Sequence, residues 1–196
     1  MKRLFDIAVS LVVLVIGFPF ALIVAAIIVA DSPGGVFYVQ NRVGRGNTDF
    51  RLLKFRTMRT DADKSGLLTV GGRDPRITRV GRFLRKYKID ELPQFLNILA
   101  GDMSVVGPRP EVRKYVDMYS PEQMKVLSVR PGLTDYASIK YVDENEILAK
   151  SDDPEQTYIN VIMPDKLRLN IEYIERMSMK EDLRIIFMTI SAVFRK

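Results

Sequence analysis

An α+β fold, mainly helical, is predicted by three features of the sequence. These are a long uncharged apolar run at the N-terminus, two short strand-like stretches joined by a polar linker, and a second half whose apolar residues recur at helical spacing. The 196 residues suffice for one domain with its own core. Hydrophobic residues make up 47% and charged residues 28%, the balance of a folded chain rather than a disordered one. The expected division is an apolar helix over 1–31 and a folded domain over 32–196.

From Ile7 to Ala30 the chain reads IAVSLVVLVIGFPFALIVAAIIVA without a charge. That is long enough to cross a hydrocarbon core of about 30 Å as a helix. It is also far longer than the apolar part of a cleaved signal peptide, roughly 7–15 residues. Lys2 and Arg3 precede the run, and Arg42, Arg45, Arg51, Lys54 and Arg56 follow it. Basic flanks favour the cytoplasmic side, and a single span cannot satisfy both ends. A helix that enters the membrane, turns near Gly17-Phe18-Pro19 and leaves on the same face satisfies both. Composition leaves this open beside a straight span with a mild kink at Pro19.

Asp31-Ser32-Pro33-Gly34-Gly35 is a break. Strands are expected over 36–40 and 50–55, with Asn41 to Asp49 linking them as a hairpin. Thr60 to Arg76 is polar and reads as a loop. Leu92, Phe95, Leu96 and Leu99 have the i, i+3, i+4, i+7 spacing of a helix that Gly101 stops. Pro110 is expected to open a helix through Tyr119. Ser120-Pro121-Glu122-Gln123 reads as a capping box. Two further helices are expected over Pro164–Met177 and Glu181–Phe194, the last apolar enough either to lie on a membrane surface or to pack in a core.

Composition limits the chemistry. The net charge is +6, which favours anionic partners. Cysteine and histidine are both absent, so disulfides, thiolate nucleophiles, Ser-His-Asp catalysis and thiolate- or imidazole-bound metals are excluded. Any metal must be a hard, oxygen-ligated cation such as magnesium. Tryptophan is absent and no nucleic-acid motif is present, so no nucleic-acid partner is expected.

The most informative segment is Lys88-Ile89-Asp90-Glu91-Leu92-Pro93-Gln94. It places adjacent carboxylates where a helix is expected to begin, with Asp90 as its N-cap. A helix N-terminus would keep both carboxylates ionised and favour a nearby phosphate. Two carboxylates with a phosphate can hold magnesium, although an ordinary acidic helix start has the same sequence. Arg73, Arg76, Arg79, Arg82 and Arg85 recur at every third position, one cationic face if helical. In Gly107-Pro108-Arg109-Pro110 two prolines stiffen the backbone around one guanidinium, which suits bidentate phosphate binding. Lys54 and Arg56 lie at the end of the second strand, and Arg130-Pro131-Gly132 repeats the arginine-proline pattern in a later loop.

In order, the apolar run with its central proline, Gln40-Asn41-Arg42-Val43-Gly44, Lys54-Phe55-Arg56-Thr57-Met58, Arg85 with Asp90-Glu91-Leu92-Pro93-Gln94, Asn97 to Asp102-Met103-Ser104, Val106-Gly107-Pro108-Arg109-Pro110 and Val129-Arg130-Pro131-Gly132-Leu133-Thr134 resemble the monotopic phosphoglycosyl transferases. The match covers almost the whole chain. The resemblance implies a re-entrant helix over 1–31, kinked at Pro19, in the cytoplasmic leaflet of the bacterial inner membrane, with a catalytic domain and amphipathic helices on the cytoplasmic face. It implies a UDP-sugar donor, polyprenol (undecaprenyl) phosphate as acceptor, Mg2+, and UMP as product. Asp90 would be the nucleophile and Asp90 with Glu91 the metal ligands. Lys54, Arg85 and Arg109 match family positions near the active-site phosphate, and Arg56 and Arg130, read from their own segments, are further expected phosphate or substrate ligands. Downstream glycosyltransferases would be pathway partners, and a homodimer is compatible with the family. Asp135 to Glu144 departs from the pattern: relatives carry an Asn-Gly-Arg segment there, and its arginine is missing. Two other readings stand beside this one: a membrane-anchored glycosyltransferase that moves the sugar alone and releases UDP, and a basic membrane scaffold without activity.

Overall fold

The computed structural model describes residues 1–60, 62, 68–71 and 74–194. Helix α1 (Lys2–Asp31) runs through Pro19 without a break in its assignment. Its outer face leaves Leu11, Val15, Ile16, Phe18 and Ile23 exposed. It is the single described helix long and apolar enough to cross a membrane.

Both ends of α1 are tied to the rest of the protein. At the N-terminal end the Asp6 carboxylate accepts from Ser104 Oγ and Val105 N, each at 3.0 Å. Arg3 donates to Ile98 O at 2.5 Å and Leu99 O at 2.9 Å. Those carbonyls lie in the last turn of helix α3 (Gln94–Ala100), where Ile98 O also accepts from the capping Gly101 N at 3.1 Å. At the other end Val24 and Ile28 pack with Phe55 and Leu84, and Asp31 Oδ2 accepts from Val80 N at 3.0 Å, at the start of helix α2 (Arg79–Lys86).

Strands β1 (Phe37–Val43) and β2 (Asp49–Phe55) form the expected antiparallel hairpin, in longer strands and with a tighter turn than predicted. Asn97 staples it to α3: its Oδ1 accepts from Leu53 N at 3.0 Å and its Nδ2 donates to Arg51 O at 2.8 Å. Buried amides are rarely left unpaired, and here one side chain serves both backbone groups.

A second, parallel pair joins β3 (Ser104–Val106) to β4 (Gly132–Thr134). The sequence reading contains neither strand, because three-residue strands carry no periodicity. Their pairing needs two glycines: a Cβ on Gly132 would sit 2.1 Å from Gly107 N, and one on Gly107 would sit 2.6 Å from Arg130 O. Helix α4 is only Arg113–Val116. Pro110 therefore opens no helix. The chain stays extended there because Glu111 O accepts from Val43 N at 2.9 Å, joining the segment to β1.

The capping box forms as expected, with Ser120 N donating to Gln123 Oε1 at 2.9 Å and Gln123 N to Ser120 Oγ at 3.2 Å, but it opens a 3-10 stretch. Short helices α5 (Tyr136–Lys140), α6 (Glu144–Ala149) and α7 (Pro154–Thr157) follow, and a π turn leads into α8 (Met163–Glu175). The last helix is α9 (Met179–Phe194). It buries Ile185, while Leu183, Phe187 and Ile190, at i, i+4 and i+7, stay exposed as an outward apolar face.

Candidate active site

Asp90 and Glu91 lie in a 3-10 turn, Ile89–Glu91, between α2 and α3. This corrects the expectation that Asp90 caps a helix. Lys88 adopts a left-handed conformation (φ 58°) that turns the chain out of α2, and α3 starts later, after Pro93. The pair is thus buried by the turn and by β2, with Asp90 5% and Glu91 8% exposed.

The two carboxylates have different surroundings. Glu91 receives both terminal nitrogens of Arg109, Nη1 donating to Oε2 at 3.3 Å and Nη2 to Oε1. Lys54 Nζ lies 3.6 Å and Lys88 Nζ 3.9 Å from the same Oε1. Burial alone would raise its pKa, but these cations, Arg109 foremost, hold it well below the usual carboxylate range. Arg109 in turn stays charged beyond its ordinary range because Glu91 faces it. Asp90 is the opposite case. Burial, and then the Glu91 charge, push its carboxyl up, and its Oδ1 is buried without a hydrogen-bond partner. The expectation that the surroundings hold both ionised alike is therefore corrected: they favour the charged form of Glu91 and disfavour that of Asp90. Burial also brings Lys54 down to about 8.

These groups line a cavity of about 960 Å³ with Lys54, Arg82, Arg85, Lys86, Lys88 and Arg109 on its wall. Arg85 reaches it from α2, its Nε donating to Thr57 Oγ1 at 2.9 Å and its Nη1 to Thr69 Oγ1 at 3.3 Å. Cations thus outnumber carboxylates, which suits a polyanion such as a diphosphate.

Arg109 is placed by backbone. The β3–β4 pairing fixes Gly107, Arg109 N donates to Asp135 Oδ2 at 3.1 Å, and Arg42 Nη1 donates to Pro110 O at 3.1 Å while pairing with Glu111 at 2.8 Å. Asp135, fully buried, also caps α5 by accepting from Ser138 N at 2.6 Å. The divergent segment thus supplies a residue that holds the arginine loop.

Other expected residues are placed elsewhere or used differently. Arg56 borders the cavity, but its guanidinium is committed to the turn after α1: Gly35 O at 2.5 Å, Ser32 Oγ at 2.9 Å, Pro33 O at 2.8 Å and Ser32 O at 2.7 Å. Arg130 donates to Gly101 O at 2.8 Å and does not line the cavity. The expected arginine face divides: Arg79, Arg82 and Arg85 lie on α2, Arg76 precedes it and pairs with Asp74 at 2.6 Å, and Arg73 lies outside the described residues. Sequence reasoning missed Lys88, Thr57 and Asp135. The sequence marks Asp135 only as the start of the divergent segment, and its bond to Arg109 depends on the unforeseen parallel strands.

The chain resembles several known proteins over nearly its full length. It is 38% identical over 195 residues to the UDP-N-acetylgalactosamine-undecaprenyl-phosphate N-acetylgalactosaminephosphotransferase of Aeromonas hydrophila, a match spanning 98% of this chain and 43% of that protein. It is 35% identical over 195 residues to the UDP-glucose:undecaprenyl-phosphate glucose-1-phosphate transferase of Caulobacter vibrioides, spanning 69% of that protein. It is 39% identical over 197 residues to the exopolysaccharide production protein PSS of Rhizobium leguminosarum, spanning 93% of it. The chain thus spans less than half of the first relative and most of the other two. The family model for bacterial sugar transferases matches residues 1–196, from the apolar helix through the carboxylate pair to the last helix. This chain belongs to the bacterial sugar transferase family.

Proposed function

We propose that this chain transfers a sugar 1-phosphate from a UDP-sugar to undecaprenyl phosphate and releases UMP, the first step in assembling a membrane-linked glycan. The observation that carries the reading is the unequal carboxylate pair. Glu91 is neutralised by three cations, while beside it Asp90 keeps a buried, unpartnered oxygen in the wall of a cationic cavity.

The sequence of events follows from that asymmetry. The donor diphosphate is held by Lys54, Arg85 and Arg109. Their charges, and the removal of Glu91 as a free anion, offset the repulsion between Asp90 and the phosphate. An Asp90 oxygen attacks the sugar-bearing phosphorus, the phosphorus–oxygen bond to UMP breaks, and UMP leaves. An oxygen of the lipid phosphate then attacks the same phosphorus, and the bond to Asp90 breaks, restoring the carboxylate. Among the described residues no cluster of three or more acidic groups forms a metal cage. Asp90 Oδ1, buried without a partner, would instead be the group that holds magnesium together with the donor phosphates, whereas Glu91, expected as a second ligand, has both oxygens taken by Arg109. When bound, magnesium supplies charge neutralisation at the diphosphate.

The membrane arrangement is part of the proposal. Both ends of α1 bind one body while its outer face stays apolar, which supports a helix that enters and leaves the cytoplasmic leaflet of the inner membrane on one side. The outward apolar face of α9 suits the same interface.

The test is a burst experiment. Enzyme with UDP-sugar and magnesium, without lipid acceptor, should release UMP up to the enzyme concentration, and mass spectrometry should find a phosphosugar adduct on the Asp90 peptide. Asp90→Asn should lose activity by about 10³-fold or more while staying folded. Full activity of that variant would end the covalent scheme, and release of UDP would indicate transfer of the sugar alone.

A further inference from the structure

A second, smaller cavity of about 180 Å³ opens beside the large one and shares Arg42, Thr69, Arg109, Glu144, Asn145 and Lys166 with its wall. Its lining contrasts with the cationic phosphate cavity. Glu111 and Glu144 contribute carboxylates, both already paired: Glu111 with Arg42, and Glu144 with Lys166 at 2.8 Å. Tyr119 and Tyr158 contribute hydroxyls, and Leu148 and Leu167 an apolar floor. Asn170, 4% exposed, lines it with an Oδ1 that is buried and has no partner. An unmet acceptor of this kind has a cost that a ligand hydroxyl would relieve.

We infer that this side chamber receives the sugar ring of the donor, and that Asn170 and Asn145 help select which sugar is transferred. The inference rests on the transferase reading above. Charge separates the parts of the donor: amides, phenols and charges that already neutralise one another, Arg42 with Glu111, Lys166 with Glu144 and Arg109 with Glu91, suit a neutral polyhydroxyl group better than a phosphate. Connectivity separates sugar from nucleoside. The chamber adjoins Arg109, which holds Glu91 beside Asp90, so the neutral group entering it is the one bonded to the attacked phosphorus. The nucleoside lies a phosphate further away. Size agrees, since the chamber has room for a single ring. Asn145 and Asn170 also lie outside the motifs that carry the family resemblance. Relatives of nearly equal identity bear names with different sugars, N-acetylgalactosamine and glucose.

The test compares binding in detergent with magnesium, with Asp90→Asn introduced into the wild type and into each variant so that the covalent step is blocked and an equilibrium Kd is read. UDP-glucose, UDP-N-acetylgalactosamine and UMP are titrated by calorimetry into the wild type, Asn170→Ala and Asn145→Ala. The wild type should distinguish the two UDP-sugars. Each variant should change the ratio of their Kd values by about tenfold, while the Kd of UMP moves by less than about twofold. Asn145 is exposed, so its variant tests the chamber even where Asn170→Ala fails to fold. An unchanged ratio in the folded variants, or no discrimination by the wild type, overturns the inference. So does equal weakening of UMP and UDP-sugars, which would place the nucleotide in the chamber. UMP release in the presence of undecaprenyl phosphate is scored separately, with Asp90 intact. Sugar-selective binding without that release would sink the transfer reading and leave the chamber's occupant established.

Discussion

Lys54 gives the site a pH dependence. Burial lowers its pKa from 10.5 to about 8, against the pull of Glu91. Between those values the unfolded chain keeps a proton that the folded protein has released, so this group's contribution to stability rises with pH across the window. The proposed phosphate binding requires the opposite, a charged lysine. The ratio kcat/KM, which reports the free enzyme, should therefore fall as pH rises through about 8, whereas the limb in kcat should lie higher because bound phosphate restores the charge. Lys54→Arg should remove the limb, and a wild-type profile flat to pH 10 would refute the assignment. Arg109→Lys should be almost as harmful as Arg109→Ala, because a single ammonium cannot satisfy both oxygens of Glu91 and also meet a phosphate. Leaving a buried carboxylate half-paired costs about 3 kcal/mol, which chemical denaturation would register together with the loss of turnover.

Two contacts between elements hold the site in place, and each can be broken singly. Asn97→Ala removes both side-chain bonds between α3 and β2 and leaves Leu53 N and Arg51 O to find other partners. A loss of about 1–3 kcal/mol is expected, with a lower melting temperature and reduced activity, since β2 carries Lys54. Gly132→Ala places a methyl group 2.1 Å from Gly107 N, a clash with backbone that no rotamer relieves. The parallel pair should separate and the Arg109 loop shift. Activity should fall more steeply than the stability loss of about 1–3 kcal/mol alone explains, as thermal unfolding and turnover measured together would reveal.

The molecule as a whole is organised around α1, whose length along its axis is about 45 Å. Its two ends bind α3, β3 and α9 on one side and β2 and α2 on the other, so a straight crossing of the bilayer would detach one of them. The chain has no cysteine, so a cysteine inserted between Met1 and Lys2, and Gly35→Cys, can be labelled singly without background. Neither should react with a membrane-impermeant reagent added outside intact cells, and both should react after lysis. External labelling of one end only would show a spanning helix and defeat the re-entrant arrangement.

The helical class, the hairpin and the apolar helix were legible in the sequence, and so were Asp90, Glu91, Lys54, Arg85 and Arg109 as candidates that the structure gathers around one cavity. The reason is local. Periodicity, charge-free length, proline and glycine punctuation and a run of adjacent carboxylates act within a few residues of where they are written. What Pro110, Arg56, Arg130 and Asp90 do was not legible, because each depends on a partner distant in the chain. Pro110 stays extended because Val43 binds the next carbonyl, and Arg56 is consumed by the turn after α1. Arg130 closes on Gly101, and Asp90 sits in a turn set by the left-handed Lys88 rather than at a helix start. The distinction between a neutralised Glu91 and an unpartnered Asp90 is likewise a matter of packing: adjacent in sequence, they face different neighbours, and burial makes the difference in charge state large.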